Sequence, residues 1–236
     1  MQLFYNPALT ETTENFTFDR EESKHIVKVL RKQEGDILHV TNGLGFIFTV
    51  QIVIGMDTKC QVRIISAERQ KTLDYKLHLA VAPTKMNDRY EWFLEKATEI
   101  GVTSITPIIC DRSEKKHIKS DRFEKIIQSA AKQSLQSYCP LLNDAISLKE
   151  FIKNNSKNGT LLIAHCEETA KKSLKSILKK GDEITLLIGP EGDFSDNEIK
   201  LAIENGYIPV TLGDTRLRTE TAAIVGCHSV AFVNQD

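Results

Sequence analysis

The stretch spanning residues 184–203 constrains the rest of the chain most. Residues 184–188 are an apolar run of strand length. The run stops at Gly189-Pro190-Glu191-Gly192, where two glycines and a proline in four residues make a tight loop with an open backbone. Ser195 and Glu198 follow at capping-box spacing, and Ile199, Ala202 and Ile203 recur at helical intervals. The unit is strand, glycine loop, helix, and its helix start exposes amide donors that a ligand can approach. A second such unit comes directly after it. Residues 207–212 read as strand and residues 213–218 as loop. Thr219 is the candidate N-cap of a helix carried by Ala222, Ala223, Val225, Gly226, Val230 and Phe232. Two successive strands ending in glycine loops suit an open parallel sheet that binds its ligand beyond the carboxyl ends of the strands. Turn chemistry alone accounts for the pattern equally well as two ordinary turns.

Strand and helix alternate from Tyr75 onward. The spacing predicts strands at 77–82, 104–110 and 161–165, and helices at 88–100, 121–136 and 174–178, with Gly101 ending the first helix. Ser147 and Glu150 have capping-box spacing and open a further short helix. This alternation implies an α/β fold with a parallel sheet covered by helices. Residues 1–70 differ. They hold short strands, one helix at 21–30 with Ile26, Val27 and Leu30 inward, and an Asn42-Gly43 hairpin signal, which together suggest a small β-barrel. The polar residues 68–74 serve as linker between a 1–70 domain and a 74–236 domain.

Composition narrows the function classes. Net charge is −1, which argues against non-specific coating of nucleic acid but leaves room for local basic clusters. Two exist: Lys24, Lys28, Arg31 and Lys32, and Arg112, Lys115, Lys116, His117 and Lys119. Each alone reads as a solvated face. The five cysteines are scattered, with no Cys-x-x-Cys pair, so neither disulfides nor a metal site is expected and a reducing cytoplasm fits. The opening residues lack a basic segment followed by an apolar core, and no apolar run approaches membrane-spanning length, so neither a secretory leader nor a membrane segment is expected.

The combination of motifs is specific. Leu187-Ile188-Gly189-Pro190-Glu191-Gly192, Phe194-Ser195, Glu198, Leu212-Gly213 and Arg216-Leu217-Arg218-Thr219-Glu220-Thr221-Ala222 together resemble the ribosomal RNA small subunit methyltransferase E family of the SPOUT superfamily. The resemblance extends along the chain. His25, Val29, Leu30 and Arg31 match a His-x-x-x-Val-Leu-Arg signature. Lys96, Glu99, Gly101 and Val102 match a Lys-x-x-Glu-Leu-Gly-Val segment with Ile100 for leucine, and Ala130, Gln133 and Ser134 match Ala-x-x-Gln-Ser. There are departures. No arginine stands near Gln2, Lys132 replaces glutamate, Gln136 replaces arginine, and Asp193 replaces glycine, so its side chain is expected to point away from the cofactor or to open the loop.

The resemblance implies an N-terminal PUA-like RNA-binding β-barrel and a C-terminal α/β methyltransferase domain with a parallel sheet, a trefoil knot and a homodimer interface. It implies S-adenosyl-L-methionine as methyl donor, 16S rRNA of the small ribosomal subunit as partner, and N3 of a uridine as acceptor. The donor would lie on His165, Leu187, Ile188, Gly189, Pro190, Glu191, Gly192, Leu212, Gly213, Leu217, Arg218, Thr219 and Ala222. Arg218, then Arg216, would supply a cationic field for the acceptor, and Glu220 would orient an arginine or take the proton. Lys24, His25, Lys28, Arg31, Arg112 and Lys115 would face RNA. Three other readings stand beside this one: an α/β protein binding a phosphate or nucleotide, a non-catalytic RNA-binding module, and the same fold acting on a different nucleotide. No Gly-x-Gly-x-x-Gly or Gly-Lys-Ser/Thr pattern supports the first.

Overall fold

The computed structural model describes residues 2–155, 158–168 and 170–235. Met1 and Asp236, the outer ends of the two expected domains, lie outside the described residues. The chain divides into two compact units, one of Met1–Thr72 with Ala131–Cys139, the other of Leu73–Ala130 with Pro140–Asp236.

The first unit contains β1 (Leu3–Tyr5), β2 (Asn15–Thr17), α1 (Arg20–Lys24), β3 (Ile37–Thr41), β4 (Phe46–Met56) and β5 (Lys59–Arg69). The strands form one sheet in the order β1-β3-β4-β5-β2, with β1 parallel to β3 and the other pairs antiparallel. Period-two alternation turns Phe48, Val50 and Ile52 of β4 and Cys60 and Val62 of β5 inward, where Phe4, Phe18 and Ile26 meet them. Two register shifts along β4–β5 bend these long strands around that core. Asp19 caps α1 by accepting from Glu22 N–H at 2.8 Å, and the helix runs on into a π-helical turn, His25–Val29. Arg31 follows in the left-handed region at φ 56°.

One sequence expectation changes here. The linker does not begin at residue 68, because β5 runs to Arg69, paired with Phe46. Asn42-Gly43 lies, as expected, in the hairpin between antiparallel β3 and β4, whose loop spans residues 42–45. Asn42 is buried, its Oδ1 accepts from Leu44 and Phe46 N–H, and the 42–45 loop receives residues 137–139. Gly45 N–H donates to Ser137 O at 2.9 Å and Cys139 N–H to Gly43 O at 3.0 Å. A single cut near residue 70 therefore leaves out a segment that belongs with the first unit. A second hairpin turns at Asp57-Thr58, between paired Met56 and Lys59.

The second unit contains β6 (Lys76–Val81), α2 (Asn87–Ile100), β7 (Ser104–Ile109), α3 (Ser120–Gln133, whose last turn enters the first unit), β8 (Leu141–Leu142), β9 (Ile146–Ser147), α4 (Leu148–Asn154), β10 (Thr160–Ala164), β11 (Lys172–Ser173), α5 (Leu174–Ile177), β12 (Glu183–Ile188), α6 (Asp196–Glu204), β13 (Ile208–Thr211) and α7 (Thr219–Val233). Helix α3 ends at Gln133, short of residue 136, and Leu135 takes a left-handed φ of 59°. The sheet order is β11-β13-β10-β12-β6-β7-β8, and every pair is parallel. The central strands are apolar on both faces, as burial between two helix layers requires. Leu77, Leu79, Val81, Leu186 and Ile188 face α2 and α7, whereas Ala80, Ile163 and Leu187 face α4 and α6.

Strand β12 is inserted between β6 and β10, which both precede it, and β13 is then placed beyond β10. From that side α7 returns to pack on α2, β6 and β12. Gly226 permits this close approach, because a Cβ there would collide with the buried Leu186 side chain. Gly101 ends α2 at φ 117°, as its position suggests.

Candidate functional site

The carboxyl ends of β10, β12 and β13 lie side by side, and the loop leaving each forms one wall of a cleft. The cleft has two lobes. One, of about 400 Å³, is bounded by His165, Lys171, Leu212, Gly213 and Asp214. The other, of about 330 Å³, is bounded by residues 188–191, Asp193, Arg218 and Thr219. Ala164, Cys166, Arg216, Leu217 and Ala222 line both lobes, so they form one site.

The 189–194 loop is braced from three neighbouring strand ends. After β6, Lys85 N–H donates to Glu191 Oε1 at 2.9 Å. After β7, Arg112 Nη1 donates to the carbonyls of Gly192 and Phe194, each at 3.1 Å. After β10, Cys166 N–H donates to Asp193 Oδ2 at 2.8 Å. Farther along, Ser195 and Glu198 form the full capping box of α6, and Asp111 joins it: its N–H donates to Glu198 Oε1 at 2.8 Å and its Oδ2 accepts from Ser195 Oγ at 2.6 Å. Thr219 Oγ1 donates to Gly189 O at 3.0 Å, tying the start of α7 to the same loop. Thr219 is already the first helical residue of α7, and Arg218 occupies the N-cap position instead.

Most residues expected to hold a cofactor converge on this cleft: His165, Ile188, Gly189, Pro190, Glu191, Leu212, Gly213, Leu217, Arg218, Thr219 and Ala222. Two do not line it. Leu187 alternates to the opposite face of β12 and is fully buried in the core there. Gly192 faces Arg112, whose Cβ would lie 3.2 Å from a Cβ at that position. Arg216 and Arg218 are both exposed lining residues. Glu220 is buried and lines neither lobe; its Oε1 lies 3.9 Å from Arg89 Nε, between α7 and α2. Asp193, which stands where glycine was expected, takes a left-handed φ of 62°. Its carboxylate joins the loops after β10 and β12, and the residue lines the second lobe.

Of the residues expected at RNA, Arg112 has its guanidinium engaged by the carbonyls above, and Lys115 is partly exposed in the same unit. In the first unit Lys24, Lys28 and Arg31 are exposed, Lys28 lies 3.4 Å from Asp57, and His25 Nε2 is 3.1 Å from Gln2 Nε2. The His25–Arg31 signature thus falls on the π turn and the left-handed residue after it, a local irregularity of the kind found at functional sites.

His165 is the unusual polar group of the cleft. It is 7% exposed, and neither ring nitrogen has a protein partner. Burial, then the nearby Lys171 charge, lowers its pKa from the usual 6.5, so the ring is neutral at pH 7 with one donor and one acceptor nitrogen. Orphaned buried polar atoms on a cavity wall are what a bound ligand would satisfy. Cys166, Lys171, Asp214 and Thr215 also line the cleft and were not singled out from sequence. Proximity to His165 and Gly213 was the only signal that would have found them. Among the described residues no His, Cys, Asp and Glu cluster suits a metal ion, and no helix is long and apolar enough to cross a membrane.

Comparison with known proteins places these features in context. A family model described as an RNA methyltransferase domain matches residues 71–231, and one described as an RNA methyltransferase PUA domain matches residues 18–70. The ribosomal RNA small subunit methyltransferase E of Buchnera aphidicola from Acyrthosiphon pisum is 32% identical over 220 residues, covering 89% of this chain and 85% of its own. Among solved structures, a probable rRNA-methyltransferase from Porphyromonas gingivalis superposes with a TM-score of 0.93 at 36% identity, covering 99% of this chain and 98% of that one. The methyltransferase E of Neisseria gonorrhoeae, bound to S-adenosyl methionine, superposes with a TM-score of 0.87 at 25% identity, covering 99% and 98%.

Proposed function

This chain belongs to the ribosomal RNA small subunit methyltransferase E family, and from that premise we propose that it transfers a methyl group from S-adenosylmethionine to N3 of a uridine in 16S rRNA. The observation that carries the proposal is the two-lobed cleft at three adjacent strand ends, with a buried, unpartnered imidazole on its wall and two guanidiniums on its lining.

The residues present suit the donor. Leu212, Leu217 and Ala222 offer apolar surface for a flat heterocycle, and His165 offers a donor and an acceptor for its polar edge. When bound, S-adenosylmethionine supplies a methyl carbon already made electrophilic by its sulfonium, so no covalent nucleophile is required of the protein. The task of this chain is then orientation, which contributes roughly 7–11 kcal/mol to lowering a barrier of this kind. The braces on the 189–194 loop serve it by holding one wall in place.

Uracil N3 is a weak acid and must lose its proton to become a nucleophile. Arg218 and Arg216 lie on the lining, and Arg218 also sits at the N-terminus of α7, whose dipole adds positive potential. Together they favour the imidate anion, with Arg218 first and Arg216 second. Glu220 acts at a distance from the cleft, on Arg89, and holds the first turn of α7. Lys24, His25, Lys28 and Arg31 position the RNA through its phosphates, with Lys115 as an additional contact. The working enzyme is a cytoplasmic homodimer with the C-terminal segment threaded as a trefoil knot.

The test is mass mapping of 16S rRNA. Small subunits from cells lacking this protein, incubated with the purified protein and S-adenosylmethionine, should gain one methyl at a single uridine. A methyl on another nucleotide, or none, would refute the proposal. Wild-type rate in Arg218→Ala, with rRNA and cofactor saturating, would remove the arginine assignment.

A further inference from the structure

We propose that Asp193 is a specificity residue: its carboxylate favours a cationic methyl donor over the neutral-sulfur product, an inference that rests on the methyl-transfer reading above. Asp193 is held in an unfavourable backbone region at φ 62°. A non-glycine residue enters that region at a cost of roughly tenfold in population, whereas glycine enters it freely. What the side chain contributes in return is visible in its contacts. Its Oδ2 accepts from Cys166 N–H at 2.8 Å and its Oδ1 from Phe194 N–H at 2.9 Å, which fixes the carboxylate of a residue that lines the second lobe.

The charged groups facing that lobe are Glu191, Asp193, Arg216 and Arg218. Glu191 and both arginines are exposed and screened by solvent. Asp193 is only partly exposed and is anchored from two sides, so its charge is the best placed to act inside the lobe. S-adenosylmethionine and S-adenosylhomocysteine share every other group and differ in the methyl and in the positive charge on sulfur. A fixed carboxylate therefore raises affinity for the donor relative to the product and helps the spent molecule leave. After screening at a partly exposed wall, the expected discrimination is about fivefold.

The experiment is calorimetric titration of wild type, Asp193→Asn and Asp193→Gly with each of the two molecules. Asparagine tolerates the left-handed backbone and keeps an acceptor for Cys166 N–H, so it removes the charge together with the bond from Phe194 N–H and leaves the clasp between the two loops in place. Glycine provides a second variant whose fold is not in question at this φ. The ratio of the two dissociation constants should fall about fivefold in both variants relative to wild type. An unchanged ratio, whether the two affinities drop together or stay as they were, overturns the proposal and leaves Asp193 a clasp between loops. Wild type that binds neither molecule refutes the methyl-transfer reading itself, a result distinct from an unchanged ratio.

Discussion

Replacing His165 with leucine should leave the free protein at least as stable and make the cofactor bind less tightly. The two effects have opposite signs because the imidazole lacks a protein partner: it is 7% exposed with both ring nitrogens unsatisfied. An unpaired buried polar group costs about 1–3 kcal/mol. Leucine removes that cost at similar volume, so the free protein should gain from about 0 to 2 kcal/mol. Lys171 is unaffected in its local bond, since its Nζ donates to the His165 backbone carbonyl at 3.0 Å. In the complex the accounting reverses. A ring nitrogen paired with the ligand contributes about 0.5–1.5 kcal/mol, so the dissociation constant for S-adenosylmethionine should rise roughly three- to tenfold. Urea unfolding of the free protein and calorimetric titration at pH 7.5 measure the two terms separately. A variant that loses more than about 1 kcal/mol of stability while binding S-adenosylmethionine normally would refute the reasoning, because the imidazole would then be a structural group.

Two further outcomes follow from particular contacts. Arg112→Ala removes the one guanidinium nitrogen that donates to the carbonyls of both Gly192 and Phe194, and it should weaken S-adenosylmethionine binding about tenfold, with faster amide exchange in residues 189–194; unchanged affinity and exchange would show that the loop holds its shape without this brace. His78 packs on Phe151, lies 2.7 Å from Thr106 Oγ1, and is pushed by burial from 6.5 down to about 4. The unfolded chain therefore binds a proton that the folded one refuses, and stability should fall as pH drops below 6.5, by about 3 kcal/mol in all near pH 4; an equally steep loss in His78→Gln would assign the acid sensitivity elsewhere.

The parts of the fold legible in sequence were those decided by local chemistry. Gly101 had to end α2 because the chain turns left-handed there. Ser195 and Glu198 announced the start of α6 and form its capping box. The apolar run at 184–188 could only be a buried strand, and β12 is central in its sheet. Less legible was what a residue does with a partner far away in sequence. Thr219 had the right type for an N-cap, but the helix begins one residue earlier than that role allows and the threonine hydroxyl donates to Gly189 O instead. Arg112 read only as part of a basic cluster, and its second role, donating to loop carbonyls 80 or more residues away, left no local mark. Asn42-Gly43 rightly marked the β3–β4 hairpin, but nothing local told that residues 137–139 would hydrogen-bond to its loop.

By itself, the order of residues determined the two glycine loops, the helices that follow them, and a parallel sheet to carry them, because periodicity and backbone freedom are properties of neighbours along the chain. Only the tertiary structure decided that β10 lies between β12 and β13, which brings His165, Asp193 and Arg216 into one cleft. Strand order depends on which apolar faces find each other in space, and no local pattern records it.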